Sequence, residues 1–138
     1  MPEIRFINLP DPIRDRVVCQ RANALFWEGH RVLIHTKDLQ HTKKLDQQLW
    51  ILDKTSFIPH STFPCDESYQ SILVDHQERP FTNVDVLLLA NESSFEYMRQ
   101  FPLIIDFAET YNLERRDQSR LRFRRWQEHG FSPQFEQS

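Results

Sequence analysis

The chain is predicted to fold as a three-layer, Rossmann-like α/β domain with a mostly parallel sheet and no nucleotide-binding glycine loop. Two observations predict it. Residues 1–50 alternate short apolar runs with amphipathic stretches, in the order strand, helix, strand, helix, and that alternation is the pattern of parallel strands joined by crossover helices. The most hydrophobic run, VDVLLLA at 84–90, barely alternates, as expected of a central strand covered on both faces.

Residues 4–9 read as the first strand. Asp11-Pro12 is a helix start, because Asp caps and Pro fits the first helical position. Val18, Ala22, Leu25 and Phe26 then recur at helical spacing, and Gly29 is placed to end the helix in a left-handed conformation. RVLIH at 31–35 is a second strand, and a second helix runs from Asp38 to about Leu49. Residues 56–58 read as a short strand. STFPCDESYQ at 61–70 is rich in turn formers and reads as a loop. SILVD at 71–75 is a strand, 76–83 a turn region, and 84–90 the central strand. Ser93 or Ser94 caps a short helix through Met98, and PLIIDFA at 102–108 is another strand. Asn112 caps a last helix that stops at Gly130, followed by a polar tail. No repeat, linker or low-complexity tract divides the chain, so 1–138 reads as a single domain.

Composition narrows the function. The chain is 39% hydrophobic and 27% charged, with a formal net charge of −3, so its overall field does not attract nucleic acid or anionic lipid. Cys19 and Cys65 form no metal-type pair, and nothing marks a secretory context, so free thiols in a reducing compartment are expected. No apolar run approaches membrane-spanning length and no signal-peptide pattern opens the chain, which leads to the expectation of a soluble cytoplasmic protein with no membrane partner.

An open α/β sheet raises the question of a nucleotide. The first strand-to-helix turn would carry Gly-x-Gly-x-x-Gly, since side chains there block the approach of the pyrophosphate. It reads Asn8-Leu9-Pro10-Asp11-Pro12 instead: no glycine, two prolines without N–H donors, and an acid where phosphate would sit. Gly29 and Gly130 are the only glycines, so there is no P-loop either. No cofactor and no metal are expected: the histidines show no recognised ligand spacing, and Cys19 reads as a small core hydrophobe. Asp75, Asp85 and Asp106 lie in or beside strands, which leaves a small enzyme with a site at the strand ends as an alternative.

Two stretches exceed what a bland fold needs. In LDQQLWILDKTSFIPH at 45–60, Leu45 and Leu49 share one helix face, Trp50 ends the helix, and Phe57, Ile58, Pro59 and His60 follow a polar turn. This is either core closure or a docking patch of rigid anchors. In ERRDQSRLRFRRWQEHGF at 114–131, six arginines (Arg115, Arg116, Arg120, Arg122, Arg124 and Arg125) concentrate positive charge on a net-negative chain. Phe123 and Trp126 form a narrow apolar stripe, and Arg120, Arg124 and Gln127 share an adjacent face. Three readings stay open: a solvated amphipathic helix, direct single-stranded nucleic-acid contact, or capture of an acidic peptide with an apolar end.

The Leu-Asp-x-x-Leu-Trp pattern followed by Ser-Phe-Ile-Pro-His, with Arg120-x-x-Phe123-Arg124 before Gly130-Phe131, resembles the chi subunit of bacterial DNA polymerase III, a clamp-loader accessory protein. The resemblance implies a non-catalytic cytoplasmic replication adaptor that meets DNA mostly indirectly. It implies a site for the acidic C-terminal tail of single-stranded DNA-binding protein, which ends in Pro-Phe, at Arg120, Phe123 and Arg124, with Arg116 and Phe131 as further members. It also implies that Trp50, Phe57, Ile58, Pro59 and His60 bind the psi subunit, which tethers chi to the clamp loader. Family members often carry a basic residue where this chain has Gln127. Residues 62–83 carry no signature of the family.

Overall fold

The computed structural model describes residues 2–52, 60–62, 72–81 and 83–137. The elements are β1 (Glu3–Leu9), α1 (Arg14–Trp27), β2 (Val32–His35), α2 (Leu39–Leu52), β3 (His60–Thr62), β4 (Ile72–Asp75), β5 (Val86–Leu89), α3 (Phe95–Met98), β6 (Leu103–Glu109), α4 (Leu113–Glu128) and β7 (Ser132–Glu136). They form one open, seven-stranded sheet in the order β3-β4-β2-β5-β6-β1-β7. Every described strand pair is parallel, as strands joined by crossover helices must be.

The helices cover both faces. Val18, Cys19, Ala22 and Leu25 of α1 and Leu45 and Leu49 of α2 pack with Ile34, Val74 and Leu88 in one core layer. Tyr97 and Met98 of α3 and Trp126 of α4 pack with Phe6, Leu33, Leu87 and Ile104 in the other. β5 is buried along its whole length, as its unbroken hydrophobicity requires. Burial, with a smaller contribution from Asp15, pushes the Cys19 thiol up to about 12, so this cysteine behaves as core rather than as a nucleophile.

Local chemistry explains the helix ends. Gly29 adopts φ 93°, and the His30 N–H reaches back to the Leu25 carbonyl at 3.0 Å, closing α1 with the left-handed reversal that glycine permits. Ser94 Oγ accepts from the Tyr97 N–H to start α3, and Asn112 Oδ1 accepts from the Arg115 N–H at 2.8 Å to start α4.

Three expectations are corrected. α1 starts at Arg14, and its N-cap is Ile13 with no side-chain cap; the Ile13 N–H donates to the Asp11 carbonyl at 2.8 Å, so Asp11-Pro12 forms a turn ahead of the helix. Residues 60–62 form an edge strand, β3, where a loop was expected from residue 61; the strand expected at 56–58 lies outside the described residues. The polar tail is β7, paired in parallel with β1 from Glu3↔Ser132 to Ile7↔Glu136. Pro133 is tolerated there because an edge strand uses only one side of its backbone. No helix among the described residues is long and apolar enough to cross a membrane.

Candidate functional site

α4 crosses the sheet with one face turned inward. Ser119 and Trp126 are buried and Arg122 and Phe123 half-buried, a stripe at helical spacing. Trp126 meets Phe6 edge-on at 4.8 Å, and Phe123 lies 6.3 Å from the same ring. Ser119 Oγ donates to the Glu109 carbonyl at 3.0 Å.

Arg122 belongs to this inner face and not to the solvated charge. Its Nη2 donates to the Phe107 carbonyl at 2.9 Å, and its guanidinium lies 5.2 Å from the centre of the Phe6 ring. Its Nε is 3.2 Å from Asp106 Oδ2 and its Nη1 3.1 Å from Glu92 Oε1. Burial alone would lower the pKa of Arg122, but the carboxylates of Asp106 and Glu92 outweigh it and hold the guanidinium above its ordinary value.

The outer flank builds a groove. Arg116, Arg120 and Arg124 are exposed and repeat every fourth residue, so they form one rim. Phe6, Ala108 and Phe123 make the floor, and Phe135 of β7, 49% exposed, makes the far wall. The groove encloses about 510 Å³, and Gln127 and Thr110 also line it. None of the three rim guanidiniums has an ion-pair partner among the described residues. A cationic rim over an aromatic floor has the chemistry to hold an anionic chain that ends in an apolar side chain.

Four of the five expected tail-site residues, Arg116, Arg120, Phe123 and Arg124, therefore share this groove. Phe131 does not. It is 4% exposed, with its N–H on the Trp126 carbonyl at 3.0 Å, its ring 6.1 Å from Phe95 and the Arg99 guanidinium 5.0 Å away. The cause is the reversal at Gly130, φ 87°, which folds the next residue back onto the end of the helix. The aromatic the sequence reading missed is Phe135, placed in a polar tail. Its signal was a lone Phe after Pro133, too little to identify a strand.

The other expected surface lies at the opposite edge of the sheet. Leu45 and Leu49 are buried, as their shared face predicts, while Trp50 and Ile51 are 53% and 63% exposed at the end of α2. His60 starts β3, the edge strand on this side; Phe57, Ile58 and Pro59 lie outside the described residues. The two surfaces are thus separated by the width of the sheet.

The three aspartates do not assemble. Asp106 is fully buried within β6, its carboxylate 2.6 Å from Arg14 Nη2. Asp75 ends β4 and sits 2.9 Å from Arg79 Nε. Asp85 lies at the amino ends of the strands, just before β5, where its Oδ1 accepts from the Arg31 N–H at 2.6 Å and its Oδ2 is 2.9 Å from His30 Nδ1. Parallel strands put residues that precede them and residues that end them at opposite ends of the sheet, so an acid pair from Asp75 and Asp85 is not formed.

Comparison with known proteins gives the same direction. The crystal structure of T4 UvsW matches the fold with a TM-score of 0.68 at 9% sequence identity, over 99% of this chain and 41% of that one; the likeness is one of fold alone, and this chain spans less than half of that protein. DNA polymerase III subunit chi of Escherichia coli (strain K12) is 25% identical over 126 residues, which cover 86% of this chain and 81% of the relative. The family model described as DNA polymerase III chi subunit, HolC, matches residues 1–134. With the Trp50 and Arg120–Phe123–Arg124 motifs set on the two ends of a parallel α/β sheet, this chain belongs to the chi subunit family of DNA polymerase III and has a replication accessory role.

Proposed function

We propose that this chain is a non-catalytic adaptor that joins the psi subunit of the clamp loader to the C-terminal tail of single-stranded DNA-binding protein. The observation that carries the reading is the groove beside α4. An acidic peptide ending in Pro-Phe needs cations along its length, a fork for its terminal carboxylate and an apolar bed for its last ring. Arg116, Arg120 and Arg124 along one rim supply the first two, and Phe6, Phe123 and Phe135 the third. The exposed Trp50 and Ile51 supply a rigid apolar surface suited to psi, far from the groove. The separation supports simultaneous binding, and tethering through two sites raises the local concentration of polymerase at coated template.

The test is a three-component assembly. Psi immobilised on a surface should retain this chain, and the loaded chain should then retain single-stranded DNA-binding protein. Deleting the tail of that protein should abolish the last step only. Retention of the tailless protein, or displacement of psi when the tail binds, contradicts the adaptor reading.

A further inference from the structure

The tail groove uses one flank of α4. The other flank opens on a second concavity of about 380 Å³ at the carboxyl ends of β5 and β6, lined by Arg14, Arg115, Arg122, Arg125, Glu92 and Glu109 among others. The inner cations are already engaged: Arg14 with Asp106 and Glu109 at 2.6 and 2.9 Å, Arg122 with Asp106 and Glu92 at 3.2 and 3.1 Å. Arg115 and Arg125 are exposed, and their guanidiniums have no ion pair among the described residues. Four guanidiniums thus face three carboxylates, with the unmatched charge on the solvent side.

The geometry points to a binding site for the phosphodiester backbone of single-stranded nucleic acid in this cavity, with Arg115 and Arg125 as the phosphate contacts. Guanidinium forks match phosphate oxygens in geometry as well as charge. The carboxyl ends of strands are where open α/β sheets receive ligands. No aromatic side chain lines the cavity, so a base finds no stacking platform and a mononucleotide gains nothing beyond its phosphate. A flexible strand can bend to bring two of its phosphates to Arg115 and Arg125 along a concave site, whereas a rigid, convex duplex cannot. The acids present do not repel the ligand outright, because Glu92 and Glu109 are each held by an arginine behind the opening. The site shares Ser119 but no arginine with the tail groove, so it stands independently of the peptide reading.

The test is fluorescence anisotropy of a labelled oligothymidylate with the full chain, across a salt titration. R115A/R125A should weaken binding on the order of tenfold at low salt and flatten log K against log salt by about 1.4, roughly 0.7 for each phosphate contact removed. R16A/K43A makes the same change of charge on the exposed faces of α1 and α2, across the sheet, and should bind within about twofold of the unaltered chain. Because the Arg115 and Arg125 guanidiniums make no ion pair or hydrogen bond among the described residues, the thermal unfolding midpoint of R115A/R125A should stay close to that of the unaltered chain, which separates a lost contact from a lost fold. No binding by the unaltered chain, or equal loss in both double variants, overturns the site. Competition by thymidine monophosphate at the oligonucleotide's own phosphate concentration overturns the assignment to a polymer.

Discussion

Arg14 Nη2 stands 2.6 Å from Asp106 Oδ1, tying the start of α1 to the middle of β6 across 92 residues of sequence. The same nitrogen donates to the Leu89 carbonyl at 2.9 Å, and Arg122 closes on the other carboxylate oxygen at 3.2 Å from the α4 side. Asp106 also accepts from the Phe107 N–H at 2.7 Å. One buried carboxylate therefore holds both helical layers against the sheet. Removing it takes the one carboxylate they share from Arg14 and Arg122, both largely buried, and leaves Arg14 with Glu109 and Arg122 with Glu92. D106A should lose about 3 kcal/mol of stability in urea unfolding, the low end of the cost of removing one partner from a buried ion pair. A loss below about 1 kcal/mol would mean that the pair is solvated and weak.

Gln127 lines the α4 groove on the same face as Arg120 and Arg124 and carries no charge. Q127R should strengthen binding of the tail peptide by roughly 1 kcal/mol, about fivefold, because the new fork adds a charge-assisted contact at a half-open site. Calorimetric titration of the two proteins with one peptide reads the difference; an unchanged affinity would place the peptide away from this end of α4.

Trp50 is half exposed while Leu49 beside it is buried. W50A should therefore reduce psi binding by about 2 kcal/mol or more, as truncated aromatic anchors do. Its effect on the unfolding free energy should stay near 1 kcal/mol. Surface binding and urea unfolding, measured side by side, test the pair of outcomes. A large stability loss with intact psi binding returns Trp50 to a structural role.

Stability should fall in acid through Asp15 and Glu109. Burial pushes the Asp15 carboxyl up, but the hydrogen bonds and charges of His41 and Lys44 outweigh it and hold it below the usual carboxylate range. For Glu109, the Tyr111 hydroxyl and Arg14 overcome the same effect of burial. Both groups are depressed in the folded state, so as pH falls the unfolded chain takes up protons first. Their stabilisation is complete above the ordinary carboxylate range, about pH 4, and is lost as pH drops through their folded values. Urea midpoints between about pH 7 and pH 3 should decline at the acid end. D15N and E109Q should each be less stable at neutral pH and show a shallower acid decline; parallel curves for variant and unaltered chain would contradict the pairings.

Much of this was legible in the sequence because it depends on local pattern. Helical spacing put Leu45 and Leu49 inside and aligned Arg120 and Arg124 on one face, and glycine marked a left-handed end of the first helix at Gly29 and the stop of the last at Gly130. Ser94 and Asn112 were readable as caps from residue type alone. What escaped depends on distant pairing. SPQFE in β7 has a proline, no apolar run and one buried residue, Pro133; it becomes a strand only by lying along β1. That pairing turns Phe135 into the wall of the groove. Phe131 was expected in the tail site only through the family resemblance, whereas the reversal at Gly130 buries it. The Arg14–Asp106–Arg122 arrangement combines α1, β6 and α4, and no spacing in the chain announces it.

The most direct measurement is titration of this chain, and of R120A and R124A, with a labelled peptide copying the C-terminal tail of its own organism's single-stranded DNA-binding protein. A second peptide lacks the final Phe. The account predicts that the complete tail binds, that loss of the Phe removes most of the affinity, and that each arginine variant costs on the order of 2 kcal/mol. Equal binding of the two peptides, or full affinity in both variants, would contradict the assignment of the α4 groove as the tail site.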